Sequence, residues 1–231
     1  MRLKADLHIH STYSDGEPSP QEILLWSTQK GLNVISITDH DTFAGSIKAS
    51  KLAASYDVLV IIGIEVRTLE GDILVYCEEP LDRIPKRALE LLDYAHDNSC
   101  VVVPAHPFDI RRHGIGELVY KGEWDAIEIF NAYSDPWANH RAKLAAKELG
   151  LPGLASSDAH VAAAIGSAYT IIEVDDYSIE GVLEAIRRGN TIPVPGRPSA
   201  KGLLNTIVWS FKRRFKGGDE DIYDNEDYYS Y

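Results

Sequence analysis

Two cysteines, one methionine and five phenylalanines are all that the 231 residues hold of those types. Cys77 and Cys100 make no C-x-x-C pair and no disulfide framework, so a reduced, cytoplasmic setting is the expectation. No apolar run approaches the roughly 20 residues of a membrane span. Met1-Arg2-Leu3-Lys4-Ala5-Asp6 leads straight into a polar motif, so no signal peptide is expected. Basic residues are scarce as well: 23 Lys and Arg face 35 Asp and Glu, a net charge of −12. No basic stripe tracks a nucleic-acid backbone, which excludes long duplexes but leaves short single strands open. Glycine-rich nucleotide loops and a G-x-S-x-G elbow are missing, so neither dinucleotide chemistry nor a serine nucleophile has support.

The charge is unevenly placed. Asp219, Glu220, Asp221, Asp224, Glu226 and Asp227 supply six of the negative charges beyond Gly217. The rest of the chain is only mildly acidic, so global charge does not decide for or against an anionic substrate. Three segments follow: a domain over 1–200, a basic amphipathic helix over 201–216 and an acidic tail over 217–231 expected to be disordered. The helix carries Lys212, Arg213, Arg214 and Lys216 at its end. Packing is its plainer reading, with membrane-surface or partner binding as the other.

Strand and helix patterns alternate within the main domain. Apolar runs at 3–10, 34–37, 58–64, 73–76, 101–103, 126–130, 153–157 and 170–174 read as strands. Ser19-Pro20-Gln21-Glu22 reads as a capping box opening a helix that Gly31 stops. Further helices are expected over 42–55, 83–98, 136–149 and 179–188. Repeated strand-then-helix order argues for a parallel α/β fold.

Polar motifs punctuate the strand ends. Asp6-Leu7-His8-Ile9-His10 puts two imidazoles on one face of a strand, and Asp15-Gly16 follows. Thr38-Asp39-His40-Asp41, Gly63-Ile64-Glu65, Ala105-His106-Pro107 and Ser157-Asp158-Ala159-His160 repeat the pattern. Five such groups point to a multinuclear metal site at the mouth of an α/β barrel. Imidazoles mixed with carboxylates suit zinc, manganese or iron better than calcium or magnesium. Such metals would clamp a phosphoryl group and generate hydroxide at neutral pH. Asp39 and Asp41 read as supporting residues or helix caps. His96, His113 and His140 read as surface residues.

Together these motifs, spanning about residues 5–170, resemble the polymerase and histidinol phosphatase (PHP) family of metal-dependent phosphoesterases. The resemblance implies a distorted (β/α)7 barrel with its metal site at the C-terminal mouth of the strands. It also implies two or three divalent ions of manganese, zinc or iron. His8, His10, Glu65 and Asp158 would hold the first metal. Glu65 would bridge to a second metal, held also by His106. Asp15, His40 and His160 would hold the third. Where the family often has Gly-His-x-Leu, this chain reads Gly71-Asp72-Ile73-Leu74. Asp72 would then ligate through oxygen, or the second site would be weak or empty.

In this reading a metal-bound hydroxide attacks phosphorus, and Asp158 or His160 shuttles protons. Arg111 and Arg112 lie in the loop after His106, ahead of Gly114-Ile115-Gly116, and would bind phosphate, Arg112 foremost. Asn131, at a strand end, contacts substrate or caps the next helix. Arg67 and Arg141 are weaker candidates. Shorter members of this type resemble nucleoside 3′,5′-bisphosphate phosphatases and 5′–3′ exonucleases on short oligonucleotides, so a small phosphorylated substrate or a short single strand is the expected partner. Histidinol phosphate is the alternative substrate. Hydrolysis of a C–N or C–O bond by the same cluster and a non-catalytic metal-binding module are the alternative functions.

Overall fold

The computed structural model describes residues 1–216, with the side chains of 1–214; the acidic tail expected over 217–231 lies outside the described residues. The strands are β1 (Arg2–Ile9), β2 (Val34–Ile37), β3 (Leu59–Arg67), β4 (Asp72–Cys77), β5 (Val101–Pro104), β6 (Ile127–Asn131), β7 (Gly153–Ser156), β8 (Tyr169–Glu173) and β9 (Thr191–Val194). The helices are α1 (Pro20–Gln29), α2 (Ala44–Leu52), α3 (Ala88–Asp97), α4 (Pro136–Leu149), α5 (Ile179–Arg187) and α6 (Ala200–Lys216).

Seven strands form one curled sheet in the order β5-β4-β3-β2-β1-β8-β9, and β6 pairs with β7 separately. The small sheet fills the gap between β5 and β1. On one side the amide of His106, just past β5, donates to Glu128 on β6 at 2.7 Å. On the other, Thr170 Oγ1 of β8 bonds both the amide and the carbonyl of Ala155 on β7, at 2.8 and 3.0 Å. The amide of His10 donates to Ala159 O at 2.9 Å, just beyond β7. Strands β1 to β7 thus make a distorted seven-stranded barrel, with β8 and β9 outside the ring.

The all-parallel expectation needs correcting. β4, β8 and β9 run antiparallel to their neighbours, whereas β1–β2, β2–β3 and β6–β7 are parallel. The cause at β4 is local. Thr68 Oγ1 accepts from the amides of Glu70 and Gly71, closing a turn too short for a crossover helix. The chain reverses, and the first residue of β4, Asp72, arrives at the same mouth as the last residues of the parallel strands.

The cysteine reading also needs correcting. Tyr76 pairs with Val101 in the antiparallel β4–β5 ladder. The next pair outward is Cys77 with Cys100, whose Cα atoms are 4.5 Å apart and whose sulfurs are joined in a disulfide. Spacing along the chain could not show this, because it depends on the strand register. A reduced compartment therefore no longer follows from cysteine usage. Among the described residues, no helix is long and apolar enough to cross a membrane.

The helices follow their capping signals. Ser19 and Glu22 form the reciprocal capping box at α1, and Gly150 ends α4 in the left-handed conformation. α3 starts at Ala88 rather than near residue 83, because Pro85 holds the preceding residue out of helical geometry. Leu7, Ile61, Leu74 and Val103 fill the barrel interior, and Val182, Leu183 and Ile186 of α5 belong to the same cluster as its floor. The apolar floor leaves the opposite end for polar side chains.

Candidate metal centre and its pocket

β1 carries His8 next to its last residue and His10 follows the strand; both are fully buried. His8 Nδ1 lies 3.0 Å from Glu128 Oε1, and its Nε2 lies 3.3 Å from Glu65 Oε2 and 3.6 Å from Asp158 Oδ1. His10 Nε2 is 3.2 Å from the same Glu65 oxygen and 3.3 Å from the same Asp158 oxygen. His106 Nε2 reaches Glu65 Oε1 at 3.0 Å, and His40 Nδ1 lies 3.1 Å from Glu65 Oε2. His160 Nε2 lies 3.1 Å from Asp15 Oδ1. Ligand-type atoms therefore gather, each set within 4.8 Å, in four overlapping groups: His10, Asp15, His40 and His160; His8, His10 and Glu65; His8, His106 and Asp158; and Glu65, Asp72 and His106.

This donor set fits metal ions. His10 Nδ1, Asp15 Oδ1 and His40 Nδ1 are buried and make no hydrogen bond of good geometry, although His160 Nε2 and Glu65 Oε2 stand 3.1 Å from the latter two. Leaving several buried polar atoms unsatisfied is costly unless something binds there. Imidazole and carboxylate are the donors that zinc, manganese and iron accept. Ligand positions also carry backbone strain: His106 and Asp158 have φ of 31° and 50°, a region non-glycine residues rarely visit. Sharp turns at those strand ends aim both side chains back over the barrel mouth.

Without metal, the site balances its own charge. Burial raises the Asp158 carboxyl, but the charges of Arg112 and His8 outweigh it and hold the group well below its ordinary range. Burial likewise opposes ionisation of Glu65, and His8 and His40 reverse the direction. Burial works against a charged His10, yet its contacts with Asp158 and Glu65 push it up to about 10. Asp72 is raised to about 6, first by burial and then by the nearby Glu65 charge.

Asp72 sits beside Glu65 and His106, and its Oδ1 lies 2.9 Å from His113 Nδ1. His113, read from the sequence as a surface residue, is half-exposed and tied to the cluster through Asp72; its backbone is left-handed, with φ 57°. Asn131 is fully buried and stands behind the ligands. Its amide donates to Glu128 at 3.2 Å and Asp158 at 3.0 Å rather than facing the pocket. Asp39 accepts from the amide and hydroxyl of Ser11 and from Ser14 Oγ, which shapes the loop carrying Asp15. Asp41 holds Lys86 and the Arg67 amide. His96 pairs with Asp125 and His140 stacks near Trp137, both away from the cluster.

A cavity of about 690 Å³ opens over this centre, lined by Arg67, Arg111 and Arg112 among others. Arg112 donates to Asp158 Oδ2 and lies over the Tyr133 ring, 5.5 Å from its centroid. Arg111 pairs more loosely with Asp109 and Asp135. Arg141 is tied to Glu117 and does not line the cavity. Besides His113 and Tyr133, which line the cavity, sequence reasoning missed two parts of the site. One is Glu128, whose only signal was a carboxylate inside the apolar run Ala126-Ile127-Glu128-Ile129-Phe130. The other is α6, which lines the cavity with Thr206, Trp209, Ser210 and Arg213.

An α/β barrel whose strand ends converge on a polynuclear histidine–carboxylate centre defines a class of metal-dependent hydrolases. The chain belongs to the PHP family of metal-dependent phosphoesterases: residues 6–134 match the PHP domain and residues 136–191 the PHP-associated segment. The uncharacterized protein MJ1587 of Methanocaldococcus jannaschii is 31% identical over 145 residues, 57% of this chain and 83% of that protein. A 5'-3' exoribonuclease of Haemophilus influenzae is 43% identical over 68 residues, 29% of this chain and 25% of the relative. A two-domain protein of Bacteroides vulgatus containing a predicted PHP-like metal-dependent phosphoesterase superposes with a TM-score of 0.71 at 20% identity, over 85% of this chain and 65% of that one. This chain thus spans only part of the latter two proteins.

Proposed function

We propose that the chain hydrolyses small phosphomonoesters of nucleotides: a nucleoside 3′,5′-bisphosphate, or the 5′ end of a short oligonucleotide. The observation that carries this reading is Arg112, a guanidinium held at the pocket wall on the outer oxygen of a buried carboxylate of the metal centre. A guanidinium there meets a phosphate oxygen in forked geometry while the ester sits over the centre. The cavity volume of about 690 Å³ accommodates a nucleotide. The match to a 5'-3' exoribonuclease, confined to a quarter of that relative, supports the same class.

His8, His10, Glu65 and Asp158 would hold one metal. His106, Glu65 and Asp72 would hold a second. Asp15, His40 and His160 would hold a third. Manganese, zinc or iron suits these donors, and when bound would supply Lewis acidity and an activated water. The chain's own residues do the rest. Glu128 fixes the orientation of His8. Asn131 and Arg112 hold the outer oxygen of Asp158, and Tyr133 supports the Arg112 guanidinium. His160 donates its Nδ1–H to the Asp158 carbonyl oxygen, which leaves the Nε2 lone pair for the ion it would share with Asp15 and His40.

The test is phosphate release from adenosine 3′,5′-bisphosphate by manganese-loaded protein, beside a His8→Ala/His10→Ala control. Release that the control abolishes supports the proposal. Release that persists in the control sinks the mechanism, and no release from any nucleotide sinks the substrate class.

A further inference from the structure

α6 is held on the barrel mouth by one face. Gly202 is buried beside Ala163, a Cβ there falling 3.3 Å from the Ala163 carbonyl oxygen. Thr206 Oγ1 lies 2.7 Å from Tyr133 OH. Trp209 Nε1 donates to the carbonyl of Asp15 at 2.9 Å. These positions recur every three or four residues, so they share one side of the helix. The next position on that side is Arg213, and its guanidinium meets Asp15 Oδ2. The opposite face, with Leu204, Ile207 and Phe211, is exposed.

Arg213 and Arg112 occupy equivalent places. Asp158 turns Oδ1 toward His8 and His10 and Oδ2 toward Arg112. Asp15 turns Oδ1 toward His10, His40 and His160 and Oδ2 toward Arg213. Two carboxylates of the centre thus each present a lining arginine to the same cavity. They sit at the two ends of the run Arg112–Asp158–His160–Asp15–Arg213. Arg67 lines the same cavity.

We infer that Arg213 forms a second anion subsite, which takes a phosphate of the substrate other than the one being hydrolysed. This rests on the phosphoesterase reading above and deepens it. One phosphate sits over the centre beside Arg112, and α6 supplies the cation for the other. With an ion bound by Asp15, His40 and His160, the Asp15 carboxylate would hold Arg213 less tightly and leave its guanidinium N–H groups for the anion. Arg213 is half-exposed and is not part of the core, so replacing it leaves the fold in place.

The experiment uses the full chain loaded with manganese, as wild type, Arg213→Gln and Arg213→Lys. Two quantities are measured: kcat/KM for adenosine 3′,5′-bisphosphate relative to that for the two singly phosphorylated adenosine nucleotides, and, by calorimetry, the Kd of its non-hydrolysable bisphosphonate analogue. Charge-assisted contacts of this kind predict a wild-type preference for the doubly phosphorylated substrate, falling about 10- to 100-fold in Arg213→Gln. Arg213→Lys restores part of the preference. Binding weakens in step. A preference ratio and a Kd that stay within twofold in Arg213→Gln overturn the inference. If no ester is hydrolysed at all, the phosphoesterase reading is what fails, and the calorimetric comparison still decides whether Arg213 holds an anion.

Discussion

Replacing Glu128 with glutamine changes one atom of the carboxyl group and, through it, the proton on His8. Glu128 Oε1 accepts from His8 Nδ1 at 3.0 Å. Its Oε2 accepts from the amide of His106 at 2.7 Å and from Asn131 Nδ2 at 3.2 Å. A donating Nδ1 leaves the Nε2 lone pair of His8 facing Glu65 and Asp158, where a metal would bind. Glutamine has one oxygen. If that oxygen stays with His106 and Asn131, the amide NH2 faces His8 Nδ1 and forces the proton onto Nε2, which removes a ligand lone pair. If it faces His8 instead, the buried amide of His106 meets another donor, at a cost of about 1–3 kcal/mol. Either arrangement should weaken metal binding by roughly 10- to 100-fold, about 1.4–2.7 kcal/mol. The assay is a competition titration of manganese or zinc against a chelator, with a thermal melt of the metal-free variant to show that the fold survives. Affinity within twofold of wild type would refute the role assigned to Glu128.

Metal removal should lower the melting temperature: at a hundredfold excess over Kd the ion adds about 2.7 kcal/mol, roughly 5–11 °C for a chain of this size, read by fluorimetry with and without chelator. No shift would mean that the cluster does not bind the ion offered. Titration of unfolded, unreduced protein should find no free thiols, and two after reduction, because Cys77 and Cys100 are joined. Reduction should also cost about 3 kcal/mol from loop closure, and two thiols before reduction would disprove the crosslink. Gly63→Ala places a Cβ 1.9 Å from Ser36 Oγ inside the barrel. A loss of about 1–3 kcal/mol is expected in denaturant melts, partly recovered by adding Ser36→Gly; a neutral single variant would show that Ser36 has room to turn.

What could be read along the chain and what could not divide by the range of the interaction. The spacing of His8 and His10 places both on one strand face whatever the tertiary fold, and α1 announces itself through Ser19 and Glu22 alone. Asp72 is a different case. Its place at the mouth depends on the reversal at Thr68–Gly71, which spacing suggested only as one more strand. Glu128 lies in a run whose neighbours are apolar, and its purpose appears only when β6 comes beside β1 and β5. The Cys77–Cys100 pair follows from the register of two strands, a quantity that a short apolar run leaves open. α6 was legible as an amphipathic helix, but its sidedness was not. Its wide apolar stripe is the exposed one, and the narrow face of Gly202, Thr206 and Trp209 binds the barrel, because a polar pocket rim selects hydrogen bonds rather than apolar contact.

Among the described residues seven acidic ones are buried, Asp72 and Asp109 in the pocket wall and five others at or behind the barrel mouth, and they would be prohibitive if they were unpaired. Asp6 accepts from the amides of Ser157 and Gly166. Asp39 is saturated by Ser11 and Ser14. Glu65, Glu128 and Asp158 are matched by imidazoles. The metal-free chain can therefore assemble the centre in place, so the entropic cost of gathering the ligands is met during folding rather than at metal binding. Two of the matching cations, Arg112 and Arg213, come from a loop and a terminal helix rather than from the barrel strands. They neutralise the carboxylates while the metals are away, and they become surplus positive charge once the metals arrive. The pocket should then turn attractive to a phosphorylated substrate only after loading, which orders the two binding events: metal first, anion second.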